Sequence, residues 1–244
     1  MHPPRIAFVG ALYHITVRCN NREFYFQEEK DFETYLDILF RAKKIYKVKV
    51  HAYCITSNHV HLMLATPEEN TLSPFMQYLN GNYSKAYNKL HNKTGRFWGG
   101  RFYSTIIESE TQFFNTLTYI ELNMARAKAV EDPKDWKWSS YHAHAFGKED
   151  RVLDFHPLYN EIGRDSLERQ QNYRNMVYGQ MEEKGLLSDP ALTRGIIMGS
   201  ESFVTSILHL FQNKYPFYSH RKLIACKQDI FCINRPHRNL PLLS

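Results

Sequence analysis

Two short runs in this chain carry side chains that could do chemistry together. The first is His59-Val60-His61, within a β-rich stretch. On a strand, residues i and i+2 project to one face, so the two imidazoles stand side by side and Val60 points away. Such a pair offers two nitrogens to a metal ion and needs a third ligand from elsewhere. The second run is Tyr119-Ile120-Glu121-Leu122-Asn123, in a stretch with helical periodicity. Residues four apart share a helix face, so Tyr119 and Asn123 project together. The Asn amide oxygen suits a hard cation such as Mg²⁺ or Mn²⁺, and the Tyr phenol is able to attack phosphorus. Each run alone has a plainer reading. An HxH triplet arises by chance, and Tyr119 fits equally as a core aromatic beside Phe113, Phe114 and Leu117.

The elements that would position these runs follow from the spacing of apolar residues. Residues 11–18 alternate, with Leu12, His14 and Thr16 on one face and Tyr13, Ile15 and Val17 on the other, which predicts a strand. Residues 31–46 place Phe32, Tyr35, Leu36, Leu39 and Phe40 at helical spacing, with Asp31 as N-cap. Two β-rich runs broken at Thr56-Ser57-Asn58 predict a hairpin, with strands near 47–55 and 59–65. Ser73-Pro74 opens a helix that runs to about Leu90. A Gly-rich connection at 94–100 leads into a strand over 102–108, and residues 111–127 form a third helix. This order predicts an α+β, ferredoxin-like (split βαβ) antiparallel sheet with helices on one face, leaving the other face free for a site. Residues 132–146 read as a segment folding back on the domain, with Trp136 and Trp138 as packing anchors.

Composition narrows the class of protein. At 244 residues and 43% hydrophobic content, the chain can bury one good core and carry an appendage. We therefore expect one unit over 1–150 and a small helical, basic, DNA-contacting region over 160–244. From Lys214 onward that region holds Lys214, Arg221, Lys222, Lys227, Arg235 and Arg238 against a single acidic residue, Asp229. No run approaches the roughly 18 to 20 apolar residues of a membrane span, and the N-terminus lacks the build of a signal peptide. The expectation is a soluble cytoplasmic protein with no membrane partner. Cys19, Cys54, Cys226 and Cys232 form no CxxC pair, which argues against a zinc knuckle and for reduced thiols.

Charge points to a polyanionic partner. The net charge is +6 and the pI about 9.0. Residues 70–107 contain no Asp or Glu, yet they carry Lys85, Lys89, Lys93, Arg96 and Arg101. These are candidate phosphate contacts, and Phe97 and Trp98 among them are candidates to stack on unpaired bases. Arg41, Lys43, Lys44, Lys47 and Lys49 form a second basic cluster.

Taken together, the motifs resemble a known family. The stretches PRIAFVGALYHITVRCNNREFYF, HAYCITSNHVHLMLATPEENTLSPFMQYLNGNYSKAYNKLHNKTGRFWGGRF, YIELNMARAKAV and DWKWSSYHA are similar, in order, to the single-tyrosine HUH transposases, and within them to the REP-associated tyrosine transposase group. The resemblance implies that His59 and His61 hold a divalent metal, Mg²⁺ or Mn²⁺, and that Asn123 completes its site. It implies that Tyr119 joins covalently to the 5′ phosphate of a cut single strand, and that the partner is hairpin DNA flanked by single-stranded sequence. Two positions depart from the family pattern: Met124 and Ser57 stand where Pro is usual. Relatives differ on whether the tyrosine serves its own subunit or a partner's, so a homodimer stays open. Three other readings compete. A hairpin-binding relative that no longer cuts would keep the fold, and a zinc hydrolase would need a further His or carboxylate. An RNA-recognition domain would want an RNP-type run, which is missing from the sequence.

Overall fold

The computed structural model describes residues 5–184, 192–193, 195–215, 221–227 and 229–235. Strand β1 (Leu12–Arg18) divides the protein by its alternation. Tyr13, Ile15 and Val17 enter one core cluster, and Leu12 enters another across the sheet. Helices α1 (Glu29–Tyr46) and α2 (Leu72–Leu90) cover the first face with Phe32, Tyr35, Leu39, Phe75, Leu79 and Tyr83. Each Leu or Phe among them, fully buried, is worth about 1.5–3 kcal/mol. Strands β2 (Lys49–Ile55), β3 (His59–Ala65) and β4 (Tyr103–Ile107) join β1 in the order β2-β3-β1-β4, all antiparallel.

The second face is covered as well, which corrects the expectation of an open face. Helix α3 (Ser109–Glu121) lies across it, and Leu117 and Ile120 pack with Met63, Tyr141 and Tyr173. The site therefore sits between sheet and helix. The helix expected over 111–127 is interrupted: Leu122 has a ψ of 5°, and a short α4 (Asn123–Arg126) follows. At the start of α1 the N-cap is Glu28, while Asp31 takes the reciprocal place of a capping box and accepts from the Glu28 amide at 2.9 Å. Residues 132–146 fold back as expected. Trp138 stacks on Phe32 at 4.6 Å and the Trp136 indole donates to the Ile55 carbonyl at 3.0 Å.

The C-terminal part is not purely helical. After α5 (Tyr141–Phe146), α6 (Pro157–Glu161) and α7 (Ser166–Lys184) come β5 (Gly195–Gly199), α8 (Glu201–Lys214), β6 (Ile224–Lys227) and β7 (Ile230–Asn234). Strand β5 pairs with β4 in parallel, and the single sheet runs β2-β3-β1-β4-β5-β7-β6. Its added strands are four or five residues long, too short for a period of two to stand out from the flanking sequence. The β6–β7 hairpin brings the Cys226 and Cys232 sulfurs together, while Cys19 and Cys54 are buried apart from them as free thiols. Among the described residues no helix is long and apolar enough to cross a membrane.

Candidate functional site

The antiparallel register of β1 and β3 sets Thr16 opposite His61 and Arg18 opposite His59. The two imidazoles share a face, with ring centroids 4.8 Å apart. The turn before β3 fixes the first of them. Thr56 donates its hydroxyl to the His59 carbonyl at 2.9 Å, so its oxygen accepts from the His59 amide at 3.0 Å. The His59 Nδ1 lies 2.6 Å from Asn58 Oδ1, which can only accept, so Nδ1 carries the proton and Nε2 the lone pair. His61 Nδ1 faces Thr16 Oγ1 at 3.1 Å and His14 Nε2 at 2.8 Å, leaving Nε2 as its outward nitrogen.

Both imidazoles are held neutral. Burial, then the charges of Arg18 and Arg126, push His59 down from 6.5 to about 3, against a hydrogen bond to Asn123 that raises it. Burial first, then His59, His14 and the same two guanidiniums, hold His61 well below the ordinary range. Neutral imidazole is the form that binds a metal. A depressed pKa also sets a sign for stability. Above pH 6.5 neither state takes the His59 proton; between about 6.5 and about 3 only the unfolded chain does, so folding weakens as pH falls. Urea unfolding of the metal-free protein should therefore lose stability across this window, and a His59→Phe variant should lose measurably less. Equal slopes for the two proteins would show that His59 is not held neutral.

Tyr119 and Asn123 arrive from α3 and α4. The Asn123 side chain meets the His59 ring, as its effect on that ring requires. The Tyr119 ring stands edge-on to His61 at 6.0 Å and to His14 at 5.8 Å. Arg126 clamps the interruption between the helices. Its guanidinium donates to the Tyr119 carbonyl at 2.9 Å and lies 3.8 Å over the Tyr119 ring. Among the described residues no three His, Cys, Asp or Glu side chains form a metal cage. The Asn123 amide is the further polar group at the His59 ring. Two imidazole nitrogens and an amide oxygen fit a divalent cation without cancelling its charge.

The structure places Tyr119 and Asn123 beside the His59–His61 pair; strand spacing accounts for one pair and helix spacing for the other. It adds His14, Thr16, Asn58 and Arg126, none of which stands out as a site residue in the sequence. His14 and Thr16 are legible there only as partners on one strand face. Arg126, three residues after Asn123 and seven after Tyr119, shares their face on a continuous helix, and that spacing is its one signal.

The basic residues divide. Lys85, Lys89, Lys93, Arg96 and Arg101 are exposed. Their loop is stitched to the site, since Asn20 donates to the Phe97 carbonyl at 2.7 Å and Gly99 to the Arg18 carbonyl at 2.9 Å. A Cβ on Gly99 would lie 3.0 Å from the Cys19 carbonyl, so this approach suits glycine. Cys19 in turn donates to the Asn58 carbonyl beside His59, at 2.8 Å. Trp98 is half-buried; its indole donates to the Asn80 carbonyl at 3.0 Å and its ring packs on Phe97 at 4.6 Å. In the second basic cluster Lys43 pairs with Asp154 at 2.8 Å and Lys49 with the same carboxylate at 3.5 Å, which anchors the chain after Arg151. In the C-terminal region Lys214 pairs with Glu69 at 2.6 Å and Arg235 donates to the Ser104 carbonyl at 2.7 Å. Arg238 lies outside the described residues.

Residues 7–123 match the family model described as Transposase IS200 like, and over that stretch the chain is similar to this transposase family. The matched stretch ends on Asn123 and includes His59, His61 and Tyr119. A protein of Haemophilus influenzae (strain ATCC 51907 / DSM 11121 / KW20 / Rd), provisionally named a REP-associated tyrosine transposase, is 29% identical over 107 residues. That match covers 40% of this chain and spans 61% of the length of the relative. Among solved structures, a REP-associated tyrosine transposase bound to a REP hairpin is similar with a TM-score of 0.54 at 19% identity. The likeness covers 64% of this chain and 94% of that one, and it supports the mixed α/β fold.

Proposed function

We propose that this protein is a metal-dependent transposase that cuts and rejoins single-stranded DNA at hairpin repeats through a 5′-phosphotyrosine intermediate. The observation that carries this reading is the convergence of His59, His61, Asn123 and Tyr119 from one strand and two helices beside Arg126. The βαββαβ order of the first 107 residues supports a ferredoxin-like nuclease frame. Hairpin DNA as partner rests on the family and on the structural relative, which is bound to a REP hairpin.

The chemistry can be written from these residues. The Tyr119 phenol releases its proton to solvent as its oxygen attacks phosphorus, the bond from phosphorus to the 3′ oxygen breaks, and that oxygen takes up a proton from solvent to leave as a hydroxyl. The 5′ phosphate stays on the tyrosine as an ester. A second 3′ hydroxyl can then displace the phenol and rejoin a strand, with no ATP because the ester conserves the bond. Arg126 holds the ring and sets a positive charge beside the reacting group. A divalent cation on His59, His61 and Asn123 would neutralise the phosphate oxygens and the leaving group.

The test is cleavage of labelled single-stranded hairpin oligonucleotides, taken from repeats flanking the gene, on denaturing gels. Cleavage should need Mg²⁺ or Mn²⁺, stop with chelator and fail on duplex of the same sequence. Binding without cleavage under either metal would leave only a hairpin-binding protein. Lys85, Lys89, Lys93, Arg96 and Arg101 are proposed to hold phosphates of that DNA, and Trp98 to stabilise their loop. Replacing Arg96 or Arg101 with Ala should weaken hairpin binding uniformly across sequences. For each phosphate left without its cation, the slope of log affinity against log salt should fall by about 0.7–0.9. An unchanged slope would remove that residue from the interface.

A further inference from the structure

His14 is buried on β1 against the candidate site, and its environment fixes which nitrogen of its neighbour faces outward. Its Nδ1 lies 3.0 Å from the Leu192 carbonyl oxygen, and its Nε2 lies 2.8 Å from His61 Nδ1. A carbonyl oxygen only accepts, so the His14 proton sits on Nδ1. A neutral imidazole carries one N–H, so His14 Nε2 accepts and His61 Nδ1 donates. His61 is thereby set with its lone pair on Nε2. The opposite arrangement would turn the Nδ1 lone pair of His14 against the Leu192 oxygen at 3.0 Å. Ring geometry agrees, since the His14 and His61 rings lie within 15° of parallel with centroids 5.1 Å apart, the separation of two rings joined edge to edge by a 2.8 Å contact.

Leu192 belongs to the C-terminal part of the chain, 178 positions from His14. Its segment is held to the sheet by Thr105, which donates to the Gly195 carbonyl at 2.7 Å. We propose that His14 is a positioning residue, which passes the orientation of the Leu192 carbonyl to His61 and so makes the C-terminal extension part of the cation site. The proposal rests on the reading that His61 binds the cation. A partner that fixes the tautomer of a metal-binding histidine is typically worth about 10–100-fold in metal affinity.

The experiment is Mn²⁺ binding by the full chain without DNA, followed by electron paramagnetic resonance, for wild type, His14→Phe, His14→Gln and His61→Ala. Long-range ¹H–¹⁵N spectra of the metal-free wild type report the His61 tautomer. The expected results are a wild-type His61 protonated on Nδ1, and Mn²⁺ affinity about 10–100-fold weaker in His14→Phe. His14→Gln, which keeps a donor and an acceptor, should recover part of the loss; a merely structural role would give no such recovery. If His61→Ala abolishes binding while His14→Phe binds as wild type does, the assignment of His14 fails alone. Protonation of wild-type His61 on Nε2 would likewise overturn it. Wild-type Mn²⁺ binding that survives His61→Ala would overturn the ligand reading itself, and the positioning role with it. Should His14→Phe not fold, the His14→Gln affinity and the wild-type tautomer decide.

Discussion

Replacing Tyr119 with Phe should abolish strand cleavage, by about 10⁴-fold or more if Tyr119 is the sole nucleophile. The substitution removes one oxygen and keeps the ring that Arg126 covers at 3.8 Å. The fold and the hairpin affinity should therefore stay near wild type. Single-turnover cleavage, with binding measured in parallel, separates the two effects. Loss of binding together with loss of cleavage would mean that Tyr119 contributes to the core rather than to the reaction.

The largest effect on stability is expected at Glu121, two residues from the tyrosine on the same helix. Its carboxylate is fully buried beside His144, whose Nδ1 lies 2.8 Å away. It accepts from Ser140 Oγ at 2.5 Å and from the Tyr173 hydroxyl at 2.5 Å. Ser140 and His144 come from the fold-back segment and Tyr173 from α7, so one side chain ties α3 to both. Glu121→Ala would leave their donors buried without an acceptor, at a cost of about 3–5 kcal/mol. Urea unfolding should register that loss, and Glu121→Gln, which keeps an acceptor oxygen, should lose less. A Glu121→Ala protein as stable as wild type would show that the network contributes nothing net.

The parts of the site carried by local spacing are legible in the sequence. His59 and His61 need only the period of a strand, and Tyr119 with Asn123 only that of a helix. The departure at Met124 is also explained locally. Asn123 opens a short helix, so Met124 lies in a first turn where Pro and Met both fit. What stays hidden depends on pairing between distant segments. His14 looks like any polar residue on an alternating strand until the register sets Thr16 beside His61. The C-terminal strands escape a sequence reading because a five-residue run such as Gly195–Gly199 is apolar throughout and has no alternation. Charge counting errs for a related reason. Lys43 and Lys49 read as a phosphate patch, but Asp154, more than a hundred positions away, answers both.

The central claim is that Tyr119 carries the DNA, and one measurement addresses it directly. Purified protein is incubated with a single-stranded hairpin oligonucleotide and Mn²⁺, then digested with trypsin and nuclease and analysed by mass spectrometry. A nucleotide 5′-phosphate is expected on the peptide containing Tyr119 and on no other tyrosine peptide, and it should be absent when chelator is present. Cleaved DNA with no tyrosine adduct, or an adduct on a different tyrosine, would contradict the claim.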